Sequence, residues 1–171
     1  SVGFIPTGAL IIAEPANQKY HPLSTVDAEF SMPYGAAIAL LKRRASLDEF
    51  AEDVIHSPEV KSLLGKVVCV KDPELEASYP AKWAGWAEIE TVDGKRRKSR
   101  VEMPKGEPEN PLVWEELVEK FHMLTTPVFS AARRKAIIEA TAQLETFRDI
   151  RDLASLLQAE TPASRQGPGR A

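Results

Sequence analysis

The sequence contains little cysteine and no long apolar run. Cys69 is the only cysteine among 171 residues, which excludes a disulfide within the chain, and its place in KVVCVK is typical of a thiol buried in a strand. The longest apolar stretches, GALIIA and GAAIALL, are far shorter than the roughly 20 residues that a membrane-spanning helix needs. We therefore expect a soluble protein of a reducing, cytoplasmic compartment, with no membrane partner.

A strong excess of either charge is also lacking. The formal net charge is −3 and the pI is about 5.7, so the chain as a whole does not attract nucleic acid. His21, His56 and His122 share no helical spacing, and no cysteine or carboxylate cluster joins them. Neither a glycine-rich phosphate loop nor a nucleophile elbow occurs. We expect no nucleic-acid partner, no metal and no cofactor, and the residues alone complete no active site.

Three segments have the pattern of strands. Gly8 to Ala13 is a short apolar run, and Lys66 to Lys71 is apolar and β-branched in its middle. Residues 84–92 and 95–103 flank Asp93-Gly94, a pair typical of a tight hairpin turn, which would place Glu90 opposite Arg97. The basic run KRRKSR lies on the returning strand, where we expect a solvated face, with anion binding as the alternative.

Helix starts are marked by serines. Ser31 is a plausible N-cap for a helix from Met32 to Arg44, and Ser46 with Glu49 has the capping-box spacing for a helix to about Ile55. Ser57 and Pro58 repeat the signal, and Gly65 marks the end of that helix.

The pattern changes after Met103, where a linker rich in proline and glycine precedes helical segments. These begin near Asn110-Pro111 and continue at residues 130–143 and 149–158. The sequence therefore predicts an α+β fold with a small mixed domain at 1–105, a helical segment at 106–158 and a disordered tail at 159–171.

The order of these features resembles the C-terminal part of the MmgE/PrpD family. The matching pieces are HPLSTVDAEFSMPYGAAIALL, SPEVKSLLGKVVCVKDPEL, the hairpin VDGKRRKSRVEMPKGEPENPLVWEELVEKF, and the helices SAARRKAIIEATAQLETFRDIRDLASLL. The resemblance covers nearly all of residues 8–158. The chain departs from the family after Leu41, where many relatives have an acid-glycine turn and this sequence has Lys42-Arg43-Arg44.

The resemblance implies a lid-type α+β domain that faces a larger helical domain across an active-site cleft. It implies a cofactor-independent lyase for polycarboxylic acids, similar to the 2-methylcitrate dehydratase of propionate metabolism, which removes a proton α to a carboxylate with loss of water. The resemblance implies that the acid, histidine and lysine residues usually assigned to catalysis in the family lie mainly before the segment that this chain matches. We therefore expect a helical domain or separate chain as partner, no activity in the isolated chain, and a homo-oligomer. The alternative is a non-catalytic assembly or interaction module, or a split subunit that pairs with a separately encoded helical catalytic chain.

Four residues carry the site prediction. The resemblance implies a catalytic role for Tyr34 and substrate contacts for Phe30 and Ser31, and His21 is a further substrate-side candidate from the same loop. For Tyr34 the alternative is a core ring whose hydroxyl is bonded to the backbone. For His21 the alternative is an ordinary loop residue.

Overall fold

The computed structural model describes residues 1–158 and divides the chain into two compact units, Ser1–Leu112 and the segment that begins at Val113. The first unit combines a four-stranded mixed sheet with short helices, and the second is helical, so the α+β fold class is confirmed. The predicted boundary near residue 105 and the division after Leu112 fall in the same linker. The tail predicted at 159–171 lies outside the described residues.

The sheet has the strand order β2-β1-β3-β4. Its strands are β1 (Val2–Phe4), β2 (Cys69–Lys71), β3 (Gly85–Glu90) and β4 (Arg96–Val101). The central strand β1 runs parallel to β2 and antiparallel to β3. The strand predicted at Lys66 to Lys71 is shortened to its last three residues, because the N–H groups of Lys66 and Val67 close the end of the preceding helix.

The hairpin is confirmed, but its predicted register is wrong. Glu90 pairs with Arg96, and Arg97 lies opposite Ile89. The reason is the loop, in which the Thr91 N–H donates to the carbonyl of Lys95, so that the connection is longer than the two-residue turn assumed from Asp93-Gly94.

The strand predicted at Gly8 to Ala13 is also wrong. This run forms a 3₁₀ turn at Pro6–Gly8 and a one-turn helix, α1 (Ala9–Ile12). The strand at this end of the chain is β1. A short apolar run does not by itself distinguish a strand from a buried helical turn, and here Ala9 and Ala13 pack on Phe4.

The other helices of the first unit are short, and two of them begin at predicted serine caps. They are α2 (Ala16–Lys19), α3 (Thr25–Glu29), α4 (Met32–Lys42), α5 (Glu52–Ile55), α6 (Pro58–Leu64) and α7 (Pro73–Glu76). Ser31 accepts the Tyr34 N–H at 3.1 Å and Ser57 accepts that of Val60 at 3.5 Å. Beyond α4, Arg43 adopts φ 57°, a left-handed conformation that favours glycine. This is where relatives are expected to carry their acid-glycine turn.

The helix predicted from Ser46 to about Ile55 is divided in two. The capping box of Ser46 and Glu49 is present, but it opens a 3₁₀ turn at Leu47–Phe50. Ala51 is extended and separates this turn from α5. Helices α3 to α6 enclose the main core of the unit, which contains Ala28, Tyr34, Ala37, Ile38, Ile55, Val60 and Leu64.

The second unit contains α8 (Trp114–Thr125), α9 (Ala131–Ala142) and α10 (Arg151–Leu156), with a 3₁₀ turn at Leu144–Thr146. Ser130 caps α9 by accepting the Arg133 N–H at 3.3 Å. Ile137 is buried, whereas Trp114, Leu117 and Ile150 keep 44%, 43% and 62% of their surfaces exposed. Within residues 1–158, no helix combines the length and apolar character needed to span a membrane.

Candidate functional site

Tyr34 lies in the core at the first turn of α4. Its side chain has no exposed surface, and its hydroxyl donates a 2.5 Å hydrogen bond to the main-chain carbonyl of Glu49. The ring contacts Phe50, with centroids 5.3 Å apart. Burial raises the pKa of Tyr34, and the nearby Glu49 charge raises it further. The phenol is thus a protonated donor that is already used inside the fold.

Glu49 is a buried carboxylate with its own partners. The Arg44 guanidinium donates to Oε1 at 2.7 Å, and the Ser46 N–H donates to Oε2 at 3.0 Å. Burial opposes ionisation, but these donors together outweigh it and hold the pKa of Glu49 below its ordinary value. Tyr34, Glu49 and Arg44 therefore form one polar chain from the core to the surface.

The segment before α4 is held by Lys19. The Ser31 hydroxyl, itself buried, donates to the Lys19 carbonyl at 2.6 Å while it caps α4. In return, the Lys19 ammonium donates to the Phe30 carbonyl at 2.8 Å. The ring of Phe30 is about half exposed, at 51%. Ser31 thus fixes the junction between loop and helix. Of Phe30 and Ser31, it is Phe30 whose side chain is exposed to solvent.

His21 lies at a cleft of about 630 Å³ on the same unit. His56 and Lys61 line the cleft with it, and Leu23, Ile55 and Leu64 contribute apolar walls. The imidazole Nδ1 of His21 contacts the Asn17 carbonyl at 3.0 Å, so Nδ1 carries a proton and Nε2 is left for another partner. No sequence spacing indicated that His21 and His56 converge, because they are brought together by α2 and α5 in three dimensions.

Comparison with known proteins decides the family. Residues 4–146 match the MmgE/PrpD C-terminal domain. The chain belongs to the MmgE/PrpD family. It is 30% identical over 138 residues to a cis-aconitate decarboxylase of Aspergillus terreus, covering 80% of this chain and 28% of that protein.

Two further MmgE/PrpD relatives have similar sequence identity and coverage. A cis-aconitate decarboxylase-like protein of Aspergillus oryzae is 29% identical over 140 residues, which cover 81% of this chain and 28% of that protein. The human cis-aconitate decarboxylase is 28% identical over 141 residues, which cover 82% of this chain and 29% of that protein. The chain spans under a third of the length of these relatives.

The site residues predicted from the sequence do not all meet in one cavity. His21 lines the cleft described above, whereas Tyr34 and Ser31 are buried in the core and Phe30 lies outside the cleft lining. Tyr34 has the geometry expected of a structural residue, namely a core ring whose hydroxyl is hydrogen-bonded to the backbone. Its catalytic role stays a prediction. Within residues 1–158, no group of three or more histidine, cysteine or acidic side chains is placed to hold a metal ion.

Proposed function

We propose that this chain is the lid-type, C-terminal part of a lyase that acts on polycarboxylic acids. The observation that carries the proposal is the match of residues 4–146 to the MmgE/PrpD C-terminal domain, together with relatives named as cis-aconitate decarboxylases. For the dehydratase reaction, the first step is removal of a proton α to a carboxylate. In a dehydratase the electron pair then expels hydroxide, which an acid protonates as it leaves, so that an alkene and water form.

Within such an enzyme, this chain would contribute substrate contacts and a fixed surface. His21, His56 and Lys61 can donate hydrogen bonds or charge to substrate carboxylates at the cleft. The Ser31 and Lys19 contacts hold the loop before α4, and Phe30 offers an exposed ring next to them. The proton-abstracting base and the leaving-group acid would come from the helical part of the enzyme. The family resemblance implies that this reaction proceeds without a cofactor.

Two reactions fit the same proposal. Dehydration of a 2-methylcitrate-like substrate is the reaction that the sequence resemblance favours. The names of the relatives support decarboxylation, in which the bond to CO₂ breaks, its electron pair stays with the carbon skeleton, and an acid supplies a proton to that skeleton. Both require carboxylate recognition, so the contribution proposed for this chain is the same in each.

The second candidate function is a non-catalytic assembly module. Trp114, Leu117 and Leu157 favour it, because they are exposed and line one apolar groove of the second unit, and such a patch is typical of surfaces that another protein covers. A split enzyme, in which these helices dock on a separate helical chain, would combine both functions. A homo-oligomer formed through the same helices would also cover these apolar side chains.

A chimera tests the proposal. Residues 4–146 would replace the corresponding segment of the Aspergillus terreus relative, and the purified, folded chimera would be assayed with cis-aconitate and 2-methylcitrate. We expect turnover of at least one of the two, with CO₂ release and alkene formation separating decarboxylation from dehydration. A folded chimera that turns over neither, although the parent enzyme is active, would favour the assembly module.

A further inference from the structure

Strand β4 forms an open edge of the sheet. It is the last strand in the order β2-β1-β3-β4, and every residue of Arg96–Val101 is exposed. Within the described residues, β4 pairs on one side only, with β3. Such an edge can accept a further strand, because a row of its N–H and C=O groups has no strand partner. The basic run KRRKSR lies on this edge, and the proposed enzymatic function does not use it.

The register identifies the main-chain groups of β4 that point away from β3. Hydrogen-bonded and non-hydrogen-bonded residue pairs alternate along an antiparallel ladder. The Thr91 N–H donates to the Lys95 carbonyl at 2.9 Å, which fixes the alternation from the loop onwards. The positions bonded to β3 are therefore Arg97, Ser99 and Val101. The N–H and C=O groups that lie along the open edge are those of Arg96, Lys98 and Arg100.

Most of the positive charge on this hairpin already has a negative partner. Residues 85–102 contain five basic side chains and four acidic ones. Arg96 pairs with Glu90 at 2.8 Å, and Arg100 pairs with Glu102 at 2.5 Å. Binding of nucleic acid depends on many free cations that contact phosphates. The hairpin therefore lacks the charge pattern of a nucleic-acid site, although its sequence is basic.

Two cations of β4 have no carboxylate partner within residues 1–158. The Arg97 side chain makes no hydrogen bond or ion pair there. The Lys98 ammonium lies 4.1 Å from the centroid of the Trp86 ring, a cation–π contact that supplies no negative charge. Because Arg97 and Lys98 are adjacent in a strand, their side chains lie on opposite faces of the sheet. A strand added beside β4 would therefore meet one unpaired cation on each face.

We propose that β4 is a docking edge for an extended, acidic segment of another protein, which adds to the sheet as a further strand. Its main chain pairs with the N–H and C=O groups along the open edge. Two successive carboxylates reach Arg97 and Lys98, one on each face. A second copy of β4 is not the occupant, because pairing two such strands would bring like charges together. The proposal does not rest on the proposed enzymatic function.

The test is an NMR titration of the 171-residue chain with the peptide acetyl-Thr-Val-Glu-Glu-Val-Thr-amide, followed on the main-chain amides. We expect saturable binding, with slower hydrogen exchange at the edge-facing N–H groups of β4. The N–H groups that face β3 are already bonded and should change less. This alternation distinguishes strand addition from a loose electrostatic contact, which does not follow the two-residue period of a strand.

Charge variants test the two carboxylate contacts. Arg97→Gln combined with Lys98→Gln removes both unpaired cations and should weaken peptide binding by about fivefold to tenfold, the effect of losing two cross-strand charge pairs. Lys42→Gln combined with Lys120→Gln is the matched control, since it removes two exposed charges elsewhere and should leave binding unchanged. All four side chains are exposed, so both double variants should keep the thermal unfolding midpoint of the parent chain.

Parallel titrations identify the partner class. The peptide acetyl-Thr-Val-Lys-Lys-Val-Thr-amide and a short thymidine oligonucleotide should each bind about tenfold more weakly than the acidic peptide, or not at all. The proposal is overturned if the acidic peptide does not bind, if the amide changes do not alternate along β4, or if the variant without Arg97 and Lys98 binds like the parent. An oligonucleotide that binds as tightly as the acidic peptide overturns it too. Protection of the same amides that rises with the concentration of the chain alone would show self-pairing and would likewise overturn it.

Discussion

The hydroxyl of Tyr34 and the main-chain carbonyl of Glu49 are joined by a hydrogen bond of 2.5 Å inside the core. The contact connects the first turn of α4 to the 3₁₀ turn at Leu47–Phe50, fifteen residues further along the chain. Because Tyr34 and Glu49 are buried, water cannot replace this hydrogen bond if the hydroxyl is removed. Tyr34 is therefore a structural element of this unit, whatever it contributes to chemistry in a larger enzyme.

Tyr34→Phe tests this role. The change leaves the ring but deprives the buried Glu49 carbonyl of its donor, so we expect a loss of about 1–3 kcal/mol in the free energy of unfolding, measured with urea. Tyr79→Phe is the matched control, since the Tyr79 hydroxyl makes no hydrogen bond within residues 1–158, and it should stay within about 0.5 kcal/mol. Equal effects of the two changes would rule out a structural role for the Tyr34 hydroxyl.

A second prediction concerns two glycines. At Gly3 of β1 an added Cβ would overlap the indole of Trp86, whose N–H donates to Asp72 at 2.6 Å. Gly3→Ala should therefore destabilise the first unit by at least about 1–3 kcal/mol. At Gly35, inside α4, nothing lies within 4 Å of the added atom, and Gly35→Ala should stabilise by about 0.5–1 kcal/mol. Thermal or urea unfolding measures both, and a Gly3→Ala variant as stable as the parent chain would contradict the packing described around β1.

A third prediction follows from the pKa of Glu49, which is held below its ordinary value. Burial acts against the charged form, but the Ser46 and Arg44 donors outweigh it. A carboxyl group whose pKa is lowered by folding stabilises the native state above its unfolded pKa, near 4.3 for glutamate, and loses that contribution as the pH falls through the lower folded value. Stability should therefore decrease from about pH 6 to about pH 3, and Glu49→Gln should remove part of this dependence.

The control for this experiment is Glu29→Gln, on an exposed glutamate that makes no ion pair within the described residues. It should keep the full pH dependence. If the stability of Glu49→Gln depends on pH as that of the parent chain does, the Glu49 carboxylate does not stabilise the native state through its contacts with Arg44 and Ser46. Urea midpoints at several pH values, with the slope of the transition checked for constancy, supply the measurement.

The parts of the fold that were predicted correctly depend on local signals. Ser31 and Ser57 cap helices because a hydroxyl reaches an N–H three residues ahead, and Gly94 adopts positive φ in the hairpin loop. The register of the hairpin was missed because it depends on loop length rather than on Asp93-Gly94 alone. The GALIIA segment was missed because its apolar pattern fits either a strand or a buried helical turn.

The candidate site was predicted only in part, for a physical reason. His21 was named from its loop after α2, but His56 at the end of α5 and Lys61 on α6 lie far from it in the sequence. They reach it because α3 packs against both α2 and α5. No spacing rule describes such a meeting. Conversely, Tyr34 occupies a position that the family resemblance favoured for catalysis, while its burial and its bond to Glu49 are properties of the folded unit.

A fourth prediction concerns the second unit. Trp114, Leu117 and Ile150 keep about half of their surfaces exposed, so covering each of them would contribute roughly half of the 1.5–3 kcal/mol that full burial of such a side chain gives. We expect the isolated chain to self-associate, or to show weak amide protection over residues 110–158, because these helices would be covered by another domain or chain. Light scattering and hydrogen exchange measure the two effects. A monomer with strong protection throughout this region would contradict the need for a partner surface.

The most direct test of the central claim is an activity assay of the pure 171-residue chain on cis-aconitate, citrate and 2-methylcitrate, alone and with the separately expressed remainder of the Aspergillus terreus relative. If this chain is the lid-type part of a polycarboxylate lyase whose acid and base residues lie in the helical part, the chain alone gives no turnover and the mixture does. Turnover by the chain alone that Tyr34→Phe abolishes, with folding intact, would contradict this account and place the active site within these residues.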